Sequence, residues 1–206
     1  MANLVRSTVQ ALVKPQGPLL KYYNAEDIRQ ILDAVKGDKE LHLTINLLWR
    51  TGVRASEALH IRFGDLDPYQ GSLRVVTLKK SRRKVRERKP VREHERIIPI
   101  KEDLLAEIMT WAHERGLERQ DYLLPFRHRN TLLAKVKKAC KLAGFDGDER
   151  AHPHTFRHSF AVHLLKNGVP ITVVRSLLGH SSLENTAIYL AIVLAEAAQM
   201  VRKVEW

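Results

Sequence analysis

The sequence predicts a mainly helical α+β domain with a small antiparallel β-hairpin or sheet. Three observations lead to this fold class. Apolar residues recur at helical spacing through most of the 206 residues. Two runs rich in strand-forming residues, 72–78 and 96–100, flank one long loop. Glycines and prolines divide the helical stretches into short segments, and a content of 44% hydrophobic residues is enough for a core.

The chain begins with residues 1–20, which we interpret as an N-terminal arm or linker because they end in several helix breakers. Asn24 followed by Asp27 is typical of a helix cap, and an apolar stripe continues until Gly37 ends that helix.

The next helix, 41–50, is apolar on most sides, which predicts that it is buried. Gly52 ends it, and Thr51 or Ser56 is expected to cap the following helix. Arg54 therefore lies at a helix junction, close to backbone N–H groups, in a place suited to gripping an anion.

A hairpin is predicted in the middle of the chain. Residues 65–70 are interpreted as a turn, 72–78 as a strand and 96–100 as its returning partner. Nine of the fourteen residues in the connecting loop, 79–92, are basic. Such a run is usually a solvated loop, but a tip this basic would also contact DNA phosphates. The candidate DNA-binding residues here are Lys80, Arg82, Arg83, Lys84, Arg86 and Arg88.

After the hairpin, residues 104–111 predict an amphipathic helix and 121–125 a short extended segment. Asn130 is expected to cap another helix, which Gly144 ends. One face of this helix is basic, and two of its lysines are further DNA-binding candidates, Lys135 and Lys138.

Residues that typically begin or end helices predict three further helices in the last third of the chain. Pro153 and Thr155 indicate the first helix start, Gly168 breaks that helix, and Gly179 ends the second. Ser181 or Ser182 offers a cap for a short third helix.

Four side chains that can take part in phosphate chemistry lie on or next to these predicted helices. His154 and Arg157 are three residues apart and so share a helical face, His180 follows the glycine that ends the second helix, and Tyr189 lies on the third. Helix ends are suited to handling phosphate, and the pattern predicts phosphoryl transfer to Tyr189.

Each of these residues has a simpler interpretation. Tyr189 can be a core aromatic with a satisfied hydroxyl, and Arg54 can be a surface arginine paired with Glu57. His154 and His158, four apart on a helix, could bind zinc together with a third histidine. No acidic or cysteine partner is near them in sequence and Arg157 would repel the metal, so we predict no metal site. His158 is instead interpreted as a packing or supporting residue.

The balance of 35 Lys+Arg against 23 Asp+Glu gives a net charge of +12. This predicts a polyanionic partner, with nucleic acid favoured over a membrane because no long apolar run exists; the alternative is a protein that is merely basic. A lone Cys140 precludes an internal disulfide and suits a reducing compartment. With no signal-peptide pattern at the start, we expect a cytoplasmic, nucleoid-associated protein.

The order of the reactive residues resembles the tyrosine recombinases, the phage-integrase-like family. The resemblance rests on Thr-Gly-Val-Arg-x-Ser-Glu at 51–57, His-x-x-Arg-His-Ser-Phe-Ala at 154–161 and Leu-Gly-His-Ser-Ser…Tyr ending at Tyr189. It covers residues 21–190, a whole catalytic domain, and implies the tyrosine recombinase catalytic-domain fold. By the same analogy, residues 191–206 form a helical tail that can be exchanged between subunits.

The resemblance implies a site-specific recombinase that joins a DNA 3′-phosphate to Tyr189, leaves a free 5′-hydroxyl, and needs no metal, cofactor or ATP. Without a metal, guanidinium groups of Arg54 and Arg157 would neutralise the phosphate. Tyrosine, with a pKa of roughly 10, needs a proton acceptor, and His154 is the candidate. Lys79, with Lys80 in reserve, would protonate the leaving oxygen, and His180 would hydrogen-bond the phosphate.

The expected partners are double-stranded DNA and a homotetramer on two DNA sites, with a monomer when free. We expect three departures from the family pattern: residues 1–20 are too short to form the usual N-terminal clamping domain, the hairpin has no Gly-Lys-Gly tip, and its loop is longer and more basic. Two alternatives remain, a type IB topoisomerase-like nicking-closing enzyme and a non-catalytic DNA-binding regulator with the same fold.

Overall fold

The computed structural model describes residues 20–77, 94–180 and 184–201. In this part of the chain the fold is mainly helical with one small sheet, as the sequence predicts. The helices are α1 Ala25–Ala34, α2 Lys39–Thr51, α3 Ala55–Ala58, α4 Glu102–Arg115, α5 Arg129–Leu142, α6 Pro153–Lys166, α7 Ile171–Leu178 and α8 Glu184–Val201. The strands are β1 Leu66–Asp67, β2 Ser72–Thr77 and β3 His94–Pro99.

Helix α2 is the centre of the domain. Asp38 caps its start by accepting a hydrogen bond from the backbone N–H of Leu41, and most of its residues are buried. It packs against α4, α5 and α6. A helix that is apolar on most sides gains more from burial than from lying at a surface, so neighbours cover it all round.

Gly52 ends α2 in the left-handed conformation, with a φ of 58°. A Cβ at this position would lie 2.3 Å from a ring carbon of Phe160. Glycine is thus required both by the backbone turn and by the close approach of α6. This tight junction brings the residues after α2 against the middle of α6.

The sheet has three antiparallel strands in the order β1-β2-β3. Val75 of β2 pairs with Arg96 of β3, as the predicted hairpin requires. The expectation of a plain turn over residues 65–70 is wrong, because Leu66 and Asp67 form a short strand against β2. Two residues of extended chain give no period-two pattern for sequence reading to detect.

Two predicted caps are also wrong. The N-cap position of α3 is occupied by Arg54 rather than by Thr51 or Ser56. The Thr51 hydroxyl instead donates a hydrogen bond to the carbonyl of Leu47 within α2. Likewise His128 precedes α5, so Asn130 lies inside that helix. Helix ends vary by a residue or two where no side-chain cap is made.

Two of the C-terminal helices, α6 and α7, begin or end at the residues that the sequence predicts. His152 accepts a hydrogen bond at the start of α6, Pro153 is its first residue, and Gly179 ends α7 with a φ of 63°. The third helix is not short: α8 runs for 18 residues and continues unbroken past residue 190. It packs on α6 and α7.

The N-terminal arm up to residue 19, the loop 78–93, residues 181–183 with the predicted caps Ser181 and Ser182, and the last five residues lie outside the described residues. Within the described helices, none combines the length and apolarity that a membrane crossing requires.

Candidate active site

A buried carboxylate lies at the base of the site. Glu57, whose side chain is 2% exposed, accepts hydrogen bonds from the guanidinium groups of Arg54 and Arg96 and from the hydroxyl of Thr77. Its other contact is the backbone N–H of Arg54, at 2.7 Å. Glu57 therefore joins the start of α3 to both long strands of the sheet.

The electrostatics favour the ionised form of this carboxyl. Burial raises the pKa of Glu57, but the hydrogen bond and charge of Arg96, together with the bonds from Thr77 and Arg54, lower it to about 2. The carboxylate thus stays charged and keeps the two guanidinium groups in place at neutral pH.

Three arginines cap the end of α7. Arg96 donates to the carbonyl of Leu177 at 2.7 Å, Arg157 to that of Leu178 at 2.6 Å, and Arg54 to that of Gly179 at 3.3 Å. The last carbonyls of a helix lack partners in the helix and carry its negative end, so cations are stabilised there. The end of α7 is consequently held against α3, β3 and α6.

Arg157 is the most deeply placed of the three, with 3% of the residue exposed. It also donates to the carbonyl of Gly52, at 2.7 Å. Burial and the neighbouring charge of Arg54 lower its pKa to about 10. Three guanidinium groups around one carboxylate leave an excess of positive charge, which an incoming anion would relieve.

Tyr189 lies beside this arginine cluster and is 2% exposed. Its hydroxyl oxygen is 2.9 Å from Nδ1 of His158, and its ring stacks on that of His180 with centroids 6.4 Å apart. Burial raises the pKa of Tyr189, while the charges of Arg157 and Arg54 lower it. The phenol is therefore neutral at rest but close to cations that favour a phenolate.

His180 follows α7 directly and its Nδ1 lies 3.0 Å from the hydroxyl of Thr186 on α8. Burial, with the charges of Arg157, Arg54 and Arg96, lowers the pKa of His180 to about 4. The ring is neutral at physiological pH, and when Thr186 donates to Nδ1 the ring proton is on Nε2, where it can be donated to an anion.

His154 lies at the edge of the site. The residue is exposed, and its ring lies next to those of His152 and His158, with centroids 5.5 and 6.4 Å away. In the part of the chain that the structure describes, no group of three or more His, Cys, Asp or Glu side chains is placed to hold a metal ion.

Arg54, Arg157, His180 and Tyr189 are thus brought together, with His154 beside them. Lys79 and the loop candidates Lys80, Arg82, Arg83, Lys84, Arg86 and Arg88 lie outside the described residues, so their roles stay predictions. Lys135 and Lys138 form ion pairs with Glu40 and Asp38 at the start of α2. Their DNA contacts also remain predictions.

The sequence did not point to roles at the site for Arg96, Thr77 or Thr186. It indicated Glu57 only as the ion-pair partner in the simpler interpretation of Arg54, and His158 only as a packing or supporting residue. A signal for Arg96 existed: alternate residues of a strand face one side, and Arg96 shares that side with the buried Ile98. His158 follows His154 by four residues and so lies on the same helical face. Thr186 gave no comparable signal.

Fold and site together define a mainly helical domain in which a cluster of arginines lies beside a buried tyrosine. A model of the phage integrase family matches residues 21–195. The chain belongs to the phage integrase family.

Individual proteins agree with this assignment. A tyrosine recombinase of Pseudothermotoga lettingae is 31% identical over 180 residues, which cover 86% of this chain and 58% of that protein. The chain thus spans a little over half the length of this curated relative. The crystal structure of XerA recombinase superposes with a TM-score of 0.72 at 23% identity, covering 94% of this chain and 68% of that one. XerH, solved in a post-cleavage complex with a palindromic difH substrate, gives 0.70 at 23% identity, covering 90% and 54%.

Proposed function

We propose that this chain is the catalytic domain of a site-specific DNA recombinase that cleaves and rejoins strands through a 3′-phosphotyrosine intermediate, without metal or ATP. The observation that carries the proposal is the position of Tyr189 between a cluster of arginines and two neutral histidines. A tyrosine is a nucleophile only with an acceptor for its proton and positive charge near the phosphate it attacks.

The roles follow from the contacts. Arg54 has the most exposed side chain of the three arginines, at 30%. Its 3.3 Å bond to Gly179 is the longest of the three carbonyl contacts, so a phosphate oxygen can replace that carbonyl. Arg157 would hold a second oxygen. His180 would donate from Nε2, and Lys79 would protonate the leaving 5′-oxygen. The XerH site-specific recombinase is bound to a palindromic difH substrate, and this chain carries a net charge of +12, so double-stranded DNA is the proposed partner here.

Covalent trapping tests this function without knowledge of the target site. The protein is incubated with a library of nicked duplexes whose central segment is randomised, so that the cleaved end diffuses away and the adduct accumulates. A denaturation-resistant adduct is expected, with the DNA attached to Tyr189 through a 3′-phosphate when mapped by mass spectrometry. Binding of the library without any adduct would instead indicate a non-catalytic regulator.

We further propose that the protein assembles as a homotetramer on two DNA sites, in the cytoplasm and on the nucleoid. Helix α8 supports the assembly. Its inner face buries Tyr189 and Ile192, yet Ile188, Leu190 and Leu194 on its other faces are 47, 36 and 47% exposed. Residues 187–195 of this helix are apolar on every face, and such a segment is normally covered on every face. A second copy of this chain, docked on α8 and the predicted tail, is the proposed cover.

The assembly proposal is tested by Leu190→Glu combined with Leu194→Glu. These charges would be desolvated in a subunit interface, so complexes on DNA with two sites are expected to shift from tetramer toward monomer in analytical ultracentrifugation. Val173→Glu, at a position 43% exposed on α7, is the control for an added surface charge. Unchanged assembly of the double variant would contradict the role of this face.

A further inference from the structure

The hydroxyl of Tyr189 is in contact with His158, although the family resemblance points to His154. Nδ1 of His158 lies 2.9 Å from the phenolic oxygen, within ordinary hydrogen-bond distance. The two residues lie on α6 and α8, two helices that pack against each other. The contact is thus held by the core of the domain.

His154 occupies a different position. It is one helical turn earlier on α6, the residue is exposed, and its ring lies next to those of His152 and His158. A proton leaving the phenol of Tyr189 therefore meets His158 first.

We propose that His158 is the group that accepts the phenolic proton of Tyr189 during strand cleavage and returns it during rejoining. The inference rests on the proposed recombinase function. In cleavage, the O–H bond of Tyr189 breaks and the proton moves to Nδ1, so the neutral ring becomes an imidazolium. The phenolic oxygen forms a bond to phosphorus, the bond to the 5′-oxygen breaks, and that oxygen takes a proton from a separate donor, for which Lys79 is the predicted group. Rejoining reverses each step.

The charges around His158 suit this role. It contacts Tyr189 on α8, and the charges that act on it come from His154 and Arg157 on α6 and from His152 just before that helix, with His180 nearby. Burial and these neighbours lower the pKa of His158 to about 4, so Nδ1 carries a free lone pair at neutral pH whenever the ring proton is on Nε2. A phosphate bound by the arginines would offset their repulsion and raise this pKa, making the ring a better acceptor only when substrate is present.

Two variants separate proton transfer from simple packing. His158→Asn keeps an amide oxygen near the position of Nδ1, which can accept a hydrogen bond but cannot take up a proton. His158→Leu removes the contact. His163→Asn is the matched control, because His163 lies on the same helix but packs on Trp49, with ring centroids 4.9 Å apart. His154→Asn tests the competing acceptor. Thermal unfolding of each variant reports on folding.

The assay measures single-turnover adduct formation on a sequence recovered by the covalent trapping experiment, with an oxygen or a sulfur atom at the bridging 5′ position. Sulfur leaves without a proton, so it rescues the loss of a proton donor but not the loss of a proton acceptor. We expect His158→Asn to be slower by about 100-fold or more with both substrates, and His163→Asn to match the wild type.

Three results would overturn the proposal. The first is a wild-type rate for His158→Asn, and the second is a defect of His158→Asn that the sulfur substrate rescues. The third is a defect that the sulfur substrate does not rescue and that occurs in His154→Asn but not in His158→Asn. A wild-type protein that forms no adduct at all would count against the recombinase function itself and is thereby distinguished from these.

Discussion

Tyr189→Phe is expected to eliminate the covalent DNA adduct completely, while DNA binding and the fold are retained. Phenylalanine fills the same buried space and loses only the hydroxyl, whose hydrogen bond to His158 contributes about 1 kcal/mol to stability. Without the phenolic oxygen, no atom remains at this point of the site to attack phosphorus. Adduct formation, electrophoretic mobility shift and thermal unfolding measure the three properties together.

Tyr69→Phe is the matched control, since Tyr69 is fully exposed on the turn after β1 and should react as the wild type does. An adduct that persists in Tyr189→Phe would mean that another residue is the nucleophile. Loss of DNA binding together with the adduct would mean that the substitution acts through the fold.

Glu57→Gln is expected to lower the free energy of unfolding by about 3–5 kcal/mol. The neutral amide leaves the buried guanidinium group of Arg96, and that of Arg54, without a compensating charge. Strand cleavage should fall as well, because the same carboxylate orients Arg54. Chemical denaturation at neutral pH measures the first effect. Glu95→Gln, at an exposed ion pair with Arg74, is the control and should change stability by less than about 1 kcal/mol.

The pH dependence of stability gives a second test of Glu57. Its pKa falls from 4.5 to about 2 on folding, so its contribution is fully present above pH 4.5 and is lost as the pH falls toward 2. The stability difference between wild type and Glu57→Gln should therefore shrink across this interval. If the stability difference between wild type and Glu57→Gln stays constant from neutral pH down to about pH 2, the carboxylate charge is not what stabilises the site.

Local signals in the sequence predicted much of this architecture. Asn24 with Asp27, Gly52, Pro153 and Gly179 each act on neighbouring residues, and all four begin or end helices as expected. Predictions failed where the signal was weak: β1 is two residues long, and α3 and α5 begin without a side-chain cap.

The candidate site was predicted in part for the same reason. The types of its residues and their order along the chain carry the family pattern, so Arg54, Arg157, His180 and Tyr189 were predicted without a structure. Their partners distant in sequence were not. Arg157 donates to Gly52 across 105 positions, and Arg54 to Gly179 across 125. No periodicity within a helix or strand reports a contact at such separation.

By itself, the sequence determined the helical fold class, the hairpin, the excess of positive charge and the reactive side chains, since these depend on residue chemistry and on neighbours a few positions away. Only the tertiary structure decided that Glu57 balances the arginines, that the end of α7 is capped by three of them, and that Tyr189 meets His158 rather than His154. Those outcomes depend on which faces of α6, α7 and α8 are buried together, and packing of the whole core selects them.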